Sequence, residues 1–384
     1  MSRLLRGAAL GAGLIGLAAL PVISEVRLRR PRRRLGDAWR RLPIESRGET
    51  RLGISFRTPQ LEPLGLDAES TLRDLLRHPF ARIRLGAYWN RIESAPDRFR
   101  FDELDAQIDA CERAGKEIIL CLGPLKTFGY PEFFVPRHHL PEPLEEGSLV
   151  RPQSHSDLLA AATRFLTRVV ERYRERPAII AWQLEHEAVD PLGNEHSWRM
   201  ATDFVERELR AVRGADPGRP VLMNGFLPTS LPVHLHQWWR TRDQGDSLVA
   251  AEGLADIVGI DYYPRHALLD LGPLTLYLDG SRSPWQAWRR RRIQARVEKS
   301  GRRLMVSEAQ AEPWEAVTTP PSPDGEAMYS CSPESLIDTY NRWMRWSGGR
   351  LSAYLFWGAE YWIHRQRAGD GSYLGAFDRV LEES

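Results

Sequence analysis

Carboxylates placed after apolar runs are the residues of this chain best suited to acid–base chemistry. The segment AWQLEHEAVD, residues 181–190, puts Glu185 and Glu187 two apart at the end of the run AIIAWQL, which predicts a buried strand. Because alternate residues of a strand share a face, both side chains are expected to point to one place at its carboxyl end. Burying a carboxylate costs free energy. The pair therefore indicates either a structural ion pair or a reaction centre.

Eight apolar runs of this kind follow residue 50, and segments of helical period separate them. Such alternation is typical of an α/β protein, here a (β/α)8 barrel forming one catalytic domain over residues 51–384. A doubly wound dinucleotide-binding sheet is disfavoured, since no GxGxxG motif follows the first run. The predicted strands cover residues 52–56, 81–87, 117–123, 178–184, 220–225, 256–262, 303–308 and 352–357.

The connections between these strands carry helix signals and two long loops. Ser332, followed by Pro333, and Gly348 bound one stretch of helical period. Residues 124–157 and 263–302 are unusually long connections, and both follow strand ends. Barrels of this type keep their active sites at the carboxyl ends of the strands, so we expect these two connections to wall a deep cleft.

In a barrel, groups at the strand carboxyl ends converge on one cavity. Two carboxylates on opposite sides of such a cavity, ringed by aromatic side chains, suit the cleavage of a glycoside. One acid protonates the departing oxygen, and the other attacks or stabilises the anomeric carbon. The strand ends supply Arg84, Glu185, His186, Glu187, Asn224, Asp261, Tyr263, Glu308, Trp314 and Trp357.

Five of these strand ends resemble the retaining glycoside hydrolases of clan A, in particular families 42 and 5. The resemblance spans residues 51–375 and implies a β-glycosidase in which Glu187 is the acid/base and Glu308 the nucleophile. Such enzymes hold the two carboxyl groups about 5 to 5.5 Å apart and form a covalent glycosyl intermediate. The motifs are WQLEHE, MVSEAQAEPW, RIRLGAYWNRIE, IDYYP and LFWGAEYW.

Further roles follow from the same resemblance. Arg84 matches the clan's strand-two arginine, Tyr263 its tyrosine near the nucleophile, and Trp357 its sugar platform. His186 stands where the clan usually places the asparagine that binds the sugar 2-hydroxyl. With Asn224 and Trp314, these residues form the expected substrate site.

Two acids are expected to support the catalytic pair rather than react. Glu185 and Asp261 are placed behind it, with Glu185 predicted to hold Arg84 or a neighbour. Glu187 must be protonated to act as an acid, so its pKa should be raised by burial and by Glu308. An envelope transglycosylase and a non-catalytic carbohydrate-binding protein on the same barrel are the alternatives.

The composition and the histidine spacing argue against other classes of protein. HExxH does not occur, and the HxH formed by His234 and His236 stands without further ligands beside it in the sequence, so we expect no metal, and no organic cofactor is implied. Five histidines are assigned to solvated loops: His138, His139, His234, His236 and His266. Cys111 and Cys121 are interpreted as structural, which leaves Cys331, in a loop, as the plausible reactive thiol.

The amino terminus differs in character from the rest of the chain. Residues 1–24 form a mostly apolar segment, and a basic linker over residues 25–50 holds six Arg in eight positions. A retained membrane anchor is favoured, with its side of the membrane open, and a cleaved export signal leading to the periplasm is the alternative. Residues 1–34 carry about +7 and the remainder about −5, so nucleic acid binding is not expected. The oligomeric state is left open.

Overall fold

A computed structural model describes residues 25–191, 196–242, 244–315 and 325–384. Eight parallel strands close into a barrel, which confirms the predicted (β/α)8 fold. The barrel strands, labelled in chain order, are β1 (Arg51–Ser55), β2 (Arg82–Gly86), β3 (Glu117–Cys121), β4 (Ile179–Gln183), β5 (Val221–Phe226), β6 (Ile257–Tyr262), β7 (Arg303–Gln310) and β8 (Ala353–Trp357).

Each strand pairs in parallel with the next along the chain, and β8 pairs back with β1. All eight carboxyl ends therefore meet at one rim. Apolar side chains fill the barrel below that rim, with each strand from β3 to β8 contributing to the cluster. A larger apolar layer lies between the strands and the surrounding helices. The barrel is a packed core, and the open end is left for a site.

Helices surround the barrel. The helix Pro333–Ser347 begins and ends as its capping residues predict, because the Ser332 side chain accepts from the Ser335 amide and Gly348 adopts a left-handed φ of 60°. The α-helices described are Ala68–Leu76, Trp89–Ile92, Asp102–Arg113, Ser156–Tyr173, Thr202–Ala215, Leu231–Thr241, Ser247–Leu254, Pro284–Lys299, Pro333–Ser347, Ala359–Arg367 and Ser372–Glu383.

The predicted basic linker, residues 25–50, is instead ordered against the barrel. Strand Val26–Arg29 pairs with Thr275–Asp279, and strand Arg32–Arg34 pairs with Glu326–Met328. Trp39 is buried, and Asn341 Nδ2 donates to the Pro43 carbonyl at 2.7 Å. The backbone groups of this arm find partners far away in the sequence, which a local reading of its charge does not reveal.

The predicted hydrophobic segment, residues 1–24, lies outside the described residues. Within the part of the chain that the structure describes, none of the helices has the length and apolar character needed to span a bilayer.

The two long connections stand at the rim, as predicted. The connection after β3 includes a bridge between Lys126 and Phe133. The connection after β6 forms an antiparallel hairpin, Arg265–Asp270 with Thr275–Asp279, and the helix Pro284–Lys299. Both loops contribute residues to the wall of one cavity.

All three cysteines are buried. The interpretation of Cys331 as a reactive thiol is wrong, because its loop packs into the core and burial raises the pKa of the thiol. A buried neutral thiol is a poor nucleophile.

Candidate active site

The chain turns sharply as it leaves β4. Glu185 and Glu187 both have left-handed backbone conformations, with φ of 55° and 44°, which are uncommon for residues other than glycine. The strand itself ends at Gln183. The expectation that the two carboxylates share one face is therefore wrong, because the backbone is no longer extended where they occur.

Glu185 binds the loop that follows β3. Its carboxylate accepts the backbone N–H groups of Leu125 and Lys126 at 3.2 and 2.6 Å. It lies beside Glu208, a second buried carboxyl on helix Thr202–Ala215, and burial raises the pKa of Glu185 to about 7. Glu185 thus fixes a loop at the rim. Of the predicted partners, Arg84 or a neighbour, these contacts are to a neighbouring loop and not to Arg84.

Glu308, at the end of β7, is held by two donors. Arg84 Nη1 donates to Glu308 Oε1 at 2.5 Å, and the Tyr263 hydroxyl donates to Oε2. Arg84 is fully buried and Glu308 is 1% exposed. Both oxygens of Glu308 therefore receive hydrogen bonds from groups that stabilise a negative charge.

A chain of hydrogen bonds leads from Arg84 to His186 and fixes the direction of each bond. The guanidinium can only donate, so Gln183 Oε1 must accept from Nε at 2.7 Å, and Gln183 Nε2 then donates to Asn224 Oδ1 at 3.0 Å. Asn224 Nδ2 is thereby oriented as the donor toward His186 Nδ1, 3.0 Å away.

His186 is consequently a neutral imidazole that accepts at Nδ1. Burial, followed by the charges of Arg84 and Lys126, lowers its pKa well below the usual value. The proton then resides on Nε2. Because His186 lines the cavity, this N–H is a donor for a bound ligand at any pH near neutrality.

Asp261 is positioned by an irregularity between β6 and β7. The pairing runs from Ile260 with Val306 to Asp261 with Glu308, so Ser307 is an extra residue. Ser307 Oγ donates to Asp261 Oδ1 at 2.6 Å. Gly259 makes room for this, since a Cβ there would lie 2.5 Å from Ser307 Oγ. Because of the bulge, Ser307 can bind Asp261 while the next residue of β7, Glu308, pairs opposite Asp261 in the sheet.

Glu187 and Asp261 are neighbouring buried carboxyl groups, and a negative charge on Asp261 favours the protonated form of Glu187. Asp261 itself accepts from Asn224 at 2.6 Å and from Ser307, so the proton belongs on Glu187. The pKa of Glu187 is raised well above its usual value by burial first, then by Asp261 and Asp190, with Glu308 adding to the effect.

A cavity of about 780 Å³ opens above these groups, within the size range of small-molecule sites. It brings together Glu187, Glu308, His186, Tyr263 and Trp357 from four different strand ends, together with Trp314. Arg84, Asn224 and Asp261 are almost fully buried beneath its floor. They contact the groups that line the cavity.

Trp314 and Trp357 form an aromatic wall with Tyr263. The Tyr263 ring lies 4.9 Å from that of Trp314 and 6.3 Å from that of Trp357. Neither indole N–H has an acceptor among the described residues. The Arg57 guanidinium stacks 4.4 Å from the Trp357 ring and pairs with Glu312 at 2.5 Å, so Glu312 closes the loop after β7 rather than binding in the cavity.

Several residues of the site were not predicted. Glu132, in the connection after β3, lines the cavity and lies 3.7 Å from Lys126 Nζ, which donates to the backbone carbonyl of Glu187. His236 and His266 also line it, although they were assigned to solvated loops. Glu132 and His266 lie in the two long connections, which was the available signal for them, whereas His236 lies on helix Leu231–Thr241 after β5, where the sequence offered none.

Two groups of described side chains bring ligand atoms close enough together to hold a metal ion. One is His186 with Asp261 and Glu308, but the donors Arg84 and Asn224 already occupy these atoms. A guanidinium at this position makes a cation unfavourable.

The other group is Glu93 with His138 and His139. The two histidines were assigned to solvated surface, yet their Nε2 atoms lie 3.3 and 3.2 Å from Glu93 Oε1. Glu93 also accepts the Trp89 indole N–H at 2.6 Å, so its carboxylate is satisfied within the protein. The expectation of no metal stays a prediction.

Comparison with known proteins finds glycoside hydrolases among both the family models and the solved structures. A family model described as beta-galactosidase, glycoside hydrolase family 42, matches residues 68–206, which contain Arg84 and Glu187. Solved glycoside hydrolases share the barrel over most of the chain. The predicted resemblance to clan A glycoside hydrolases is confirmed.

Three solved glycoside hydrolases illustrate the likeness. Xylanase 10B from Thermotoga petrophila RKU-1, in complex with xylobiose, has a TM-score of 0.51 at 14% identity, covering 87% of this chain and 94% of that one. GH5_18 from Streptomyces cattleya, in complex with GlcNAc, has a TM-score of 0.55 at 14% identity, with 88% and 82% covered. The beta-galactosidase from Marinomonas ef1 has a TM-score of 0.50 at 13% identity, with 80% and 54% covered. At these identities the likeness establishes the fold and leaves the substrate open.

Proposed function

We propose that this protein is a retaining glycoside hydrolase that cleaves a β-O-glycosidic bond, with Glu308 as nucleophile and Glu187 as acid/base. One observation carries the proposal: two carboxyl groups in one cavity have opposite surroundings. Glu308 receives hydrogen bonds from Arg84 and Tyr263, whereas burial and neighbouring acids keep the proton on Glu187. Such a division is what separates the nucleophile from the acid in a pair of carboxyls.

The first step forms a covalent intermediate. The Glu187 carboxyl gives its proton to the glycosidic oxygen, and the bond from that oxygen to the anomeric carbon breaks. A Glu308 oxygen forms a bond to the same carbon, which yields a glycosyl ester and an alcohol. Tyr263 and Arg84 hold the attacking carboxylate in place.

The second step releases the sugar. Glu187, now a carboxylate, removes a proton from water as the water attacks the anomeric carbon, and Glu308 departs as a carboxylate. The esterified Glu308 carries no charge during this step. One of the influences that raise the pKa of Glu187 is therefore absent, which suits the change from acid to base.

The walls of the cavity suit a sugar. The faces of Trp314, Trp357 and Tyr263 offer stacking surface for the apolar side of a pyranose ring. The free indole N–H groups and the His186 Nε2–H supply donors for hydroxyl groups. An oligosaccharide or glycoside is thus the substrate class that these residues fit, without a metal or organic cofactor.

Activity on a panel of aryl β-glycosides tests the proposal. Glu308→Gln and Glu187→Gln should each lower kcat/KM by about a thousandfold or more, and nuclear magnetic resonance of the first product should show retained configuration. Glu252→Gln is the matched control, since Glu252 pairs with Arg296 on an outer helix. An inverted product, or unchanged hydrolysis by Glu308→Gln, would contradict the assignment.

A further inference from the structure

Apolar side chains project into solvent around the mouth of the cavity. Seven of the ten exposed large hydrophobic residues among those described lie on three elements there. These elements are strand Val26–Arg29, the hairpin Arg265–Asp279 and helix Leu231–Thr241, and we call their outer surface the mouth face. The seven residues are Leu28, Leu235, Trp238, Trp239, Leu268, Leu269 and Leu271, each 45–63% exposed.

The strand register makes the mouth face continuous with the cavity wall. His266 pairs with Leu278, and both line the cavity. Further along the same sheet face, Leu269 pairs with Leu276, which in turn pairs with Leu28. Directly paired residues of antiparallel strands project to the same side. A row of leucines therefore extends the cavity wall outward into solvent.

Helix Leu231–Thr241 repeats this arrangement. Pro232, Val233 and His236 line the cavity, while Leu235, Trp238 and Trp239 are 51%, 51% and 63% exposed. The exposed residues have the i, i+3, i+4 spacing of one helix stripe. This exposed stripe lies beside the side of the helix that lines the cavity. The helix therefore presents apolar side chains both to the cavity and to the surrounding solvent.

Three exposed arginines lie beside this apolar surface. Arg29 ends the strand that forms the sheet edge, Arg30 follows it directly, and Arg242 follows the end of the helix. Asp270, at the hairpin tip, is the acid of these elements that is exposed. Tryptophan and arginine together are characteristic of protein surfaces at the boundary of a membrane.

The chain that precedes the mouth face supplies an independent indication. The apolar segment, residues 1–24, continues directly into strand Val26–Arg29. A membrane that received this segment, as the sequence predicts, would lie within reach of the mouth face. A second copy of the chain is a weaker candidate, since it would bring equal positive charge against the same surface.

We infer that the mouth face docks on a lipid bilayer with anionic headgroups, so that the cavity opens at the level of those headgroups. The leucines and tryptophans enter the interfacial region, and the arginines contact phosphates. This step rests on the proposed function. With the cavity at the level of the headgroups, the favoured substrate is a glycoside whose aglycone is a lipid, because the sugar of such a glycolipid would lie at the cavity entrance.

Fluorescent labelling of the full chain separates docking from mere tethering by residues 1–24. The native cysteines are buried, so Leu269→Cys can be labelled selectively with a polarity-sensitive dye. Arg350→Cys is the matched control, because Arg350 is exposed and precedes β8 at the opposite end of the barrel. Both variants are reconstituted in phosphatidylglycerol vesicles.

Docking requires a blue shift, and quenching by nitroxide lipids, for the label at 269 but not at 350. An aqueous spectrum at both positions in vesicles would overturn the inference. A shift that appears without vesicles and grows with protein concentration would overturn it as well, in favour of self-association.

A second experiment addresses the substrate class. The triple variant Leu269→Ser, Leu271→Ser and Trp239→Ser should lose about tenfold or more of its activity on a long-chain alkyl β-glycoside in anionic vesicles. Its activity on a soluble aryl glycoside should stay within about twofold of the wild type. Equal losses on both substrates would contradict a lipid-borne substrate. If the wild type cleaves neither, the proposed function fails while the labelling result still decides docking.

Discussion

Arg84 and Glu308 form a buried ion pair, with 2.5 Å between Nη1 and Oε1, although β2 and β7 are separated by two other strands in the barrel. The pair lies at the centre of the polar network. Arg84 fixes Gln183, and through Gln183 and Asn224 it fixes the proton of His186. One guanidinium thus orients both the nucleophile and a donor to the ligand.

Removing Arg84 should destabilise the protein through the charge left behind. Arg84→Met is expected to lower the free energy of unfolding by about 3 to 5 kcal/mol near neutral pH, because Glu308 would remain buried without its partner. The double variant Arg84→Met/Glu308→Gln should recover part of this loss. Urea unfolding followed by circular dichroism measures both. A double variant no more stable than Arg84→Met would contradict the ion-pair account.

Removing the charge of Asp261 should change the pH at which the enzyme loses its acid. Asp261 is the largest electrostatic cause, after burial, of the raised pKa of Glu187. Asp261→Asn should therefore move the alkaline limb of kcat/KM to lower pH by about one unit. Ser307→Ala removes a hydrogen bond to Asp261 but leaves the charge of Asp261. The alkaline limb of kcat/KM for this variant should therefore move much less. If the alkaline limb lies at the same pH in the wild type and in Asp261→Asn, Asp261 does not have this role.

The buried acids of the site should make the protein less stable as pH rises toward neutrality. Burial raises the folded-state pKa of Glu185 to about 7 and of Asp190 to about 6, and raises that of Glu187 well above its usual value. Between the unfolded values near 4 and these folded values, the folded state binds more protons, so the free energy of unfolding decreases with increasing pH. Glu187→Gln should weaken this dependence.

Urea unfolding at pH 5 and pH 8 measures the effect. Buried histidines with lowered pKa values, such as His186 and His266, act in the opposite direction, so the comparison is between variants. On going from pH 5 to pH 8, the free energy of unfolding should change less favourably in the wild type than in Glu187→Gln. Glu252→Gln should behave as the wild type does. The same change in the wild type and in Glu187→Gln would show that the fold does not hold Glu187 protonated.

His186 should act as a neutral donor. His186→Asn keeps an N–H at this position. Its kcat/KM should therefore be about tenfold or more higher than that of His186→Ala, which has no such donor. The acid limb of the pH profile should be the same in His186→Asn and the wild type, because the histidine stays neutral. A wild-type inflection near pH 6.5 that disappears in His186→Asn would contradict this.

The barrel could be read from the sequence because its signal is local. Each strand is a short apolar run, and all eight predicted runs overlap the observed strands. The sequence could place Arg84 and Glu308 on their strands for the same reason. Position at the carboxyl end of a parallel strand decides where a side chain converges.

The remainder of the site depends on features that have no local sequence signal. The left-handed turn through Glu185 and Glu187 separates two acids that strand geometry would place together. Gln183 and Lys126 become important only through partners distant in the sequence. The arm over residues 25–50 pairs with residues at least 246 positions away, from Arg29 with Thr275 upward, and its charge alone indicated a linker.

Trapping the covalent intermediate tests the central claim most directly. A panel of 2-deoxy-2-fluoro-β-glycosides with good leaving groups should slow the release step and leave one sugar on the enzyme, detected by mass spectrometry of the intact chain and its peptides. The label is expected on the peptide that contains Glu308, and Glu308→Gln should remain unlabelled. A sugar attached at Glu187 or Asp261, or labelling that persists in Glu308→Gln, would contradict the assignment of the nucleophile.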